Sequence, residues 1–259
     1  MEKSALFAVY LTDGLGIRGK PDLVAVAQRL GLEVREVDSE TFEGALIRVT
    51  GRRGGIIAIK TTILEPGRKR FTIAHEIGHY ILPGHDPLGA CLPEALESWG
   101  GWLPGPELDA NEFAAELVLP TRYVRSMLAP GHPDLTNIQR TATEFDASLT
   151  ATTRKFLQLT DDACAMVWST MGAIKWYQRS EAFKVSIRTG PLDRGSMAAH
   201  LFREGPQEKP NFEEVNSHVW LNPPNDETVE RVLECSILLK NYDSVLTLLW
   251  IEDLGLAQK

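Results

Sequence analysis

The apolar positions of residues 3–83 change period twice, from helical to strand-like and back, and so divide this stretch into its elements. Residues 4–14 predict a short helix that ends at Gly14 or Gly16. Leu23, Val24, Val26, Ala27 and Leu30 recur at helical spacing, so a second helix is expected from Lys20 to Leu30, with Pro21 suited to its first turn and Gly31 to its stop. Leu32 to Val37 alternates as a strand. Ala45 to Thr50 and Gly55 to Lys60 are two further β-rich runs, and Gly51-Arg52-Arg53-Gly54 between them is a hairpin signal. Phe71, Ile73, Ala74, Ile77, Tyr80 and Ile81 then trace an apolar helix that Pro83 and Gly84 terminate. Helix, strands, helix is an α+β layout in which a sheet lies beside the last helix.

Beyond it, residues 84–106 are rich in Gly, Pro and Trp and are expected to be a long loop, with one helical turn at most around Pro93 to Glu97. Trp99 and Trp102 either line a cleft there or fasten the loop to the core. Ala110, Phe113, Ala114, Leu117 and Val118 make a helical face that Pro120 closes. Helices are expected at Arg122 to Leu128, Ile138 to Phe145 and Leu149 to Leu159. The last two, about Asp146-Ala147-Ser148, resemble a helix-turn-helix, although such pairs are also plain packing units. From residue 163 the period becomes that of strands, in CAMVWST, GAIKWYQRS, VSIRTG, HVWLN, ECSILLK and SVLTLLWIED, interrupted by one helix from Ser196 to Arg203. That order loosely resembles a PAS or GAF module, a small α/β sensor fold that also serves for dimerisation or docking. Asn222-Pro223-Pro224-Asn225-Asp226 is expected to be an exposed turn.

Composition narrows the function classes. A length of 259 residues allows one large domain or two ordinary ones, and 43% hydrophobic with 24% charged residues is that of a soluble globular chain. A net charge of -8 argues against an electrostatic nucleic-acid binder. The helices of 121–160 carry Arg122, Arg125, Arg140, Arg154 and Lys155, few cations to hold phosphates, so DNA binding is not expected. Cys91, Cys164 and Cys235 are widely spaced and fit a reducing compartment. The N-terminal MEKSALFAVYLTDG lacks the long apolar run of a signal peptide, and no stretch approaches a membrane span, so a cytoplasmic location is expected.

The candidate chemistry lies in FTIAHEIGHYILP, residues 71–83. His75 and His79 are one helical turn apart and can share a zinc ion. Glu76 is rotated about 100° around the helix, beside the metal, where it can take a proton from an attacking water. Two histidines on a helix are also compatible with a solvated face or a structural metal clip. However, His and Glu within an apolar helix are costly to bury without compensation, and one zinc ion accounts for all three. A catalytic zinc needs a third protein ligand. Glu107, Asp109, Glu112 and Glu116 compete: Glu112 and Glu116 share a face distinct from Phe113 and Leu117 and so look solvated, while acids at 107 and 109 suit a helix start in any case. Spacing does not choose between them. His85, in the loop, is expected to be a surface residue. Ile56 to Lys60 is the candidate sheet edge for pairing with substrate backbone, or else an ordinary strand.

Two motifs together carry a resemblance. Arg68, Arg70, Phe71, Thr72, Ala74, His75, Glu76, Gly78 and His79 form R-x-R-F-T-x-A-H-E-x-G-H. Glu107, Ala110, Asn111, Phe113, Ala114, Ala115, Glu116, Leu117 and Pro120 follow as E-x-x-A-N-x-F-A-A-E-L-x-x-P. The pair resembles the ImmA/IrrE family of bacterial and phage metallopeptidases, firmly over residues 20–125 and more loosely beyond. Leu119 stands where that family usually has Met, a volume-conserving exchange. The resemblance implies Glu107 as third zinc ligand, a zincin-like domain, and a cytoplasmic protease that cuts a helix-turn-helix repressor in a stress or induction response. A second donor to the oxyanion is expected, and Tyr123 is the nearest candidate by sequence. The expected architecture is α+β: a metallopeptidase domain over 1–125, a helical extension over 126–160, and a smaller α/β, PAS/GAF-like domain over 161–259 that could take a small-molecule ligand. The alternative is a non-catalytic zinc-containing regulator acting through partner, ligand or DNA.

Overall fold

A computed structural model describes residues 2–48, 53–85, 88–91, 105–128, 132–207, 209–222 and 229–252. Helix α1 spans Lys3–Gly14 and α2 spans Leu23–Arg29. The second helix starts later than its apolar spacing predicts, because the Asp22 side chain accepts from the backbone N–H groups of Val24 and Ala25, both at 3.1 Å, and so caps it. Strands β1 (Leu32–Val37), β2 (Gly44–Ile47) and β3 (Gly55–Lys60) follow, then α3 (Pro66–Ile81), β4 (Leu88–Cys91) and α4 (Gly105–Val118).

The four strands lie in the order β1-β3-β2-β4, with β1 and β3 parallel and the other neighbours antiparallel. The edge expected at Ile56 to Lys60 is therefore interior. Ile57, Ala58 and Ile59 are all buried, as a strand covered on both faces requires. Among the described residues the outer strand beside β2 is β4, in a stretch whose Gly and Pro content predicts only loop. Residues 93–97, Trp99 and Trp102 lie outside the described residues. Helix α3 packs on β2 and β3 and against α4, and α4 packs on α1. Every residue of α3 from Thr72 to His79 is buried, so polar groups on this helix are enclosed along with apolar ones. Around it Ala74, Ile77, Phe113, Ala114 and Leu117 are fully excluded from solvent, the large ones contributing about 1.5–3 kcal/mol each.

Helices α5 (Thr121–Leu128), α6 (Leu135–Glu144) and α7 (Leu149–Leu159) come next. The C-terminal part is β-rich: β5 (Ala163–Thr170), β6 (Ala173–Arg179), β7 (Ser186–Ile187), β8 (Gly190–Pro191), α8 (Met197–Glu204), β9 (Glu213–Asn216), β10 (Leu221–Asn222), β11 (Arg231–Leu239) and β12 (Ser244–Ile251). Six of these strands form an antiparallel sheet in the order β8-β6-β5-β12-β11-β9. One face carries Ala163, Ala165, Val167, Val245 and Leu249 against Met197, Ala198 and Leu201 of α8. The fully buried Glu234 of β11 anchors that helix, accepting from the Ala198 N–H at 2.9 Å, the Trp220 indole N–H at 2.7 Å and the Ser236 hydroxyl at 3.0 Å. HVWLN is not one strand: Ser217–Val219 is a 3-10 turn, and only Leu221 and Asn222 pair, with Ile187 and Ser186. Residues 223–228, with most of the expected Asn222–Asp226 turn, lie outside the described residues.

The chain divides into two compact units, Met1–Val124 with Thr141–Ala151, and Arg125–Arg140 with Thr152–Lys259. It passes from one to the other at 124/125, 140/141 and 151/152. No helix among the described residues is long and apolar enough to cross a membrane.

Candidate metal centre

The site is built from two helices of the first unit. Pro66 occupies the first turn of α3, where its missing N–H costs nothing. Two turns further on, His75 and His79 stack on one face with their Nε2 atoms 2.9 Å apart. Glu107, in the first turn of α4, brings Oε2 to 3.2 Å from His75 Nε2 and Oε1 to 3.5 Å from His79 Nε2. Ligand atoms of these three residues all lie within 4.8 Å of one another and could hold a metal ion. A close approach of the helices makes this possible. A Cβ at Gly78 would stand 3.1 Å from Phe113 Cδ1 and 3.3 Å from Ala110 Cα, so glycine at 78 lets α4 lie against α3.

Of the four competing acids, Glu107 converges on the histidines. Asp109 is exposed, and Glu112 accepts from the Ser4 hydroxyl. Glu116, expected to be solvated, is buried instead. Its carboxylate accepts from the Thr121 N–H at 2.9 Å and the Thr121 hydroxyl at 2.7 Å, joining the end of α4 to the start of α5.

The charge states suit a cation. Burial pushes the His75 pKa down, against the pull of Glu107, and keeps the imidazole neutral. Burial raises the Glu107 pKa, but its contacts with His75 and His79 outweigh it and hold the carboxyl below the usual carboxylate range. His75 Nδ1 lies 2.9 Å from Asn111 Oδ1, and the tautomer that donates to this oxygen from Nδ1 leaves the Nε2 lone pair for a metal. Two imidazole nitrogens and a carboxylate facing one another are Lewis bases without an acid among them. That donor set fits zinc, with three protein ligands from N and O donors.

Glu76 is fully buried on the neighbouring flank of α3. Its carboxylate rests against the start of β2, where a Cβ on Gly44 would fall 2.6 Å from Glu76 Oε1 and 2.5 Å from Thr72 Cγ2. Arg68 holds that strand end in place. Its guanidinium donates to both oxygens of Glu43, Nε to Oε2 at 2.8 Å and NH2 to Oε1 at 2.7 Å. The Tyr123 hydroxyl donates to the Ile17 carbonyl at 3.2 Å.

Two neighbours of the histidines were not among the expected site residues. Asn111 was visible in the second motif, though nothing in its spacing said which imidazole it would meet. His85, expected on the surface, is buried, and its Nδ1 lies 2.9 Å from His79 Nδ1.

Residues 27–156 match the model of a peptidase family described as the IrrE N-terminal-like domain. None of the curated proteins matches the sequence. Among solved structures, a Mycobacterium tuberculosis transcriptional regulator is similar in fold, with a TM-score of 0.58 and 15% identity over 96% of this chain and 76% of that one.

Proposed function

The chain belongs to the IrrE N-terminal-like domain family of peptidases, and on that footing we propose that it is a zinc-dependent endopeptidase that cleaves a helix-turn-helix transcriptional repressor in a stress or induction response. The observation that supports this most is the convergence of His75, His79 and Glu107, with Glu76 on the adjoining flank of the same helix. His75 and His79 through Nε2, and Glu107 through its carboxylate, would hold the zinc. When bound, zinc supplies Lewis acidity, polarising a scissile carbonyl and making a nearby water acidic near neutral pH. Glu76 takes the proton of the attacking water on its carboxylate and passes it to the departing amide nitrogen. Glu107 is the ligand on the open side, its side chain 24% exposed while His75 is sealed, so substrate approaches from there. The substrate main chain would pair along the side of β4 turned away from β2, the edge of the sheet among the described residues. Tyr123 would serve the oxyanion only by releasing the Ile17 carbonyl.

In this reading residues 1–125 do the chemistry, 126–160 are a helical extension, and 161–259 are a PAS/GAF-like module for sensing, a small-molecule ligand or docking. The widely spaced cysteines support action in a reducing compartment such as the cytoplasm. A second reading, a non-catalytic regulator, draws on the likeness in fold to a transcriptional regulator.

Replacing Glu76 by Gln separates the two. The variant should bind zinc as the wild type does and lose cleavage by about 100- to 10,000-fold, the scale of general-base catalysis. The assay is incubation of the zinc-loaded chain with a purified helix-turn-helix repressor encoded beside it, followed by fragment analysis. Cleavage by Glu76→Gln at the wild-type rate would rule the mechanism out.

A further inference from the structure

Each ligand histidine has its second ring nitrogen occupied, but by different means. For His75 the partner is Asn111, from α4. For His79 it is His85, six residues further along the chain. Helix α3 ends at Ile81, and the Leu82 N–H still bonds to the Gly78 carbonyl. Pro83 and Gly84 then reverse the chain. Gly84 has φ +84°, and a Cβ there would meet nothing within 4 Å, so the backbone angle, and not space, calls for glycine. The reversal lays the His85 ring over His79, with centroids 4.9 Å apart and Nδ1 to Nδ1 at 2.9 Å, and both residues are buried.

We propose that His85 is a positioning residue for the metal centre: its Nδ1 accepts the Nδ1–H of His79 and so fixes the tautomer in which His79 Nε2 offers a lone pair to the metal. A free imidazole exchanges between two tautomers, and only one of them can bind a cation through Nε2. Without the acceptor, His79 must either bury an unsatisfied Nδ1–H or move the proton to Nε2, where it blocks the ligand position. Partners of this kind set ligand orientation and basicity, and their loss typically weakens metal binding about 10- to 100-fold. His85 would thus do for His79 what Asn111 does for His75. The inference rests on the zinc reading above for its consequence, although the contact between the two Nδ1 atoms is present in the metal-free chain.

The test uses full-length protein and two substitutions. Asn at 85 carries an acceptor oxygen in the place of Nδ1, whereas Leu fills the space and accepts nothing. Zinc affinity, measured by competition with a chromophoric chelator, should fall about 10- to 100-fold in His85→Leu and return to the wild-type value in His85→Asn. Nitrogen NMR of the metal-free proteins should show His79 held as the Nδ1–H tautomer in the wild type and in His85→Asn, and as a mixture in His85→Leu. Equal zinc affinity in wild type and His85→Leu overturns the proposal. So does an Asn variant as weak as the Leu variant, since His85 would then act by shape alone. A wild type that binds no zinc defeats the zinc reading, and the nitrogen spectra then decide the role of His85 by themselves: an unchanged His79 tautomer in His85→Leu overturns it, and a mixture supports it.

Discussion

Gly44 is the residue on which the position of Glu76 depends most directly. Nothing about its backbone angle singles it out. Its role comes from the 2.6 Å that would separate an added Cβ from Glu76 Oε1, and the 2.5 Å to Thr72 Cγ2. Neither neighbour can retreat easily, since both are fully buried. In Gly44→Ala the Glu76 carboxylate must shift, while His75, His79 and Glu107 keep their places. A displacement near 1 Å at a reacting group is expected to cost about 100-fold in rate. Zinc affinity should stay at the wild-type value, measured by chelator competition, while repressor cleavage falls. Undiminished cleavage by this variant would mean that Glu76 does not act from the position it occupies against β2. The contrast with Glu234 is informative. Both carboxylates are completely buried, but Glu234 faces three protein donors and anchors a helix, and Glu76 lies beside a group of metal-ligand candidates.

Elements with long, regular apolar repeats are legible in the sequence. The helix bearing the two histidines, the helix after residue 105 and the long strands of residues 163–170 and 244–251 all fall where periodicity puts them. The candidate ligands follow from residue type and from the resemblance, because two short motifs carry Glu107 where spacing alone leaves four acids. What is hidden depends on contacts distant in sequence. That β3 is interior comes from β1 pairing with it in parallel, although β2 lies between them in sequence. Strand β4 is four residues of a Gly- and Pro-containing stretch that gain order from backbone pairing with β2. Glu116 reads as solvated by its helical face, yet it is enclosed because α5 starts beside it and offers an N–H and a hydroxyl. Glu116→Ala removes that link, and the cost should be about 1–3 kcal/mol, as for other lost caps and buried hydrogen bonds. Thermal denaturation reads this as a lower Tm, and an unchanged Tm would show that Pro120 alone sets the junction between α4 and α5.

At the scale of the whole molecule, boundaries drawn along the sequence and boundaries drawn through space do not coincide. The second compact unit takes in Arg125–Arg140 and everything from Thr152 onward, and it includes the buried Leu135, Ile138, Phe156 and Leu157. A chain cut after residue 160 would keep those side chains and lose the sheet of their own unit. Such a truncation is expected to bind more of an apolar dye and to aggregate on gentle warming, compared with the full chain. A monomeric, dye-silent fragment would show that these helices are satisfied without residues 161–259. Because the polypeptide changes unit three times between 124/125 and 151/152, inheritance of the parts is constrained. One recombination event cannot exchange the C-terminal module of such a gene for another cleanly. A grafted module would arrive without the upstream stretch, Arg125–Arg140, that completes it, so diversification of this architecture should proceed by substitution within the module or by replacing both its segments together.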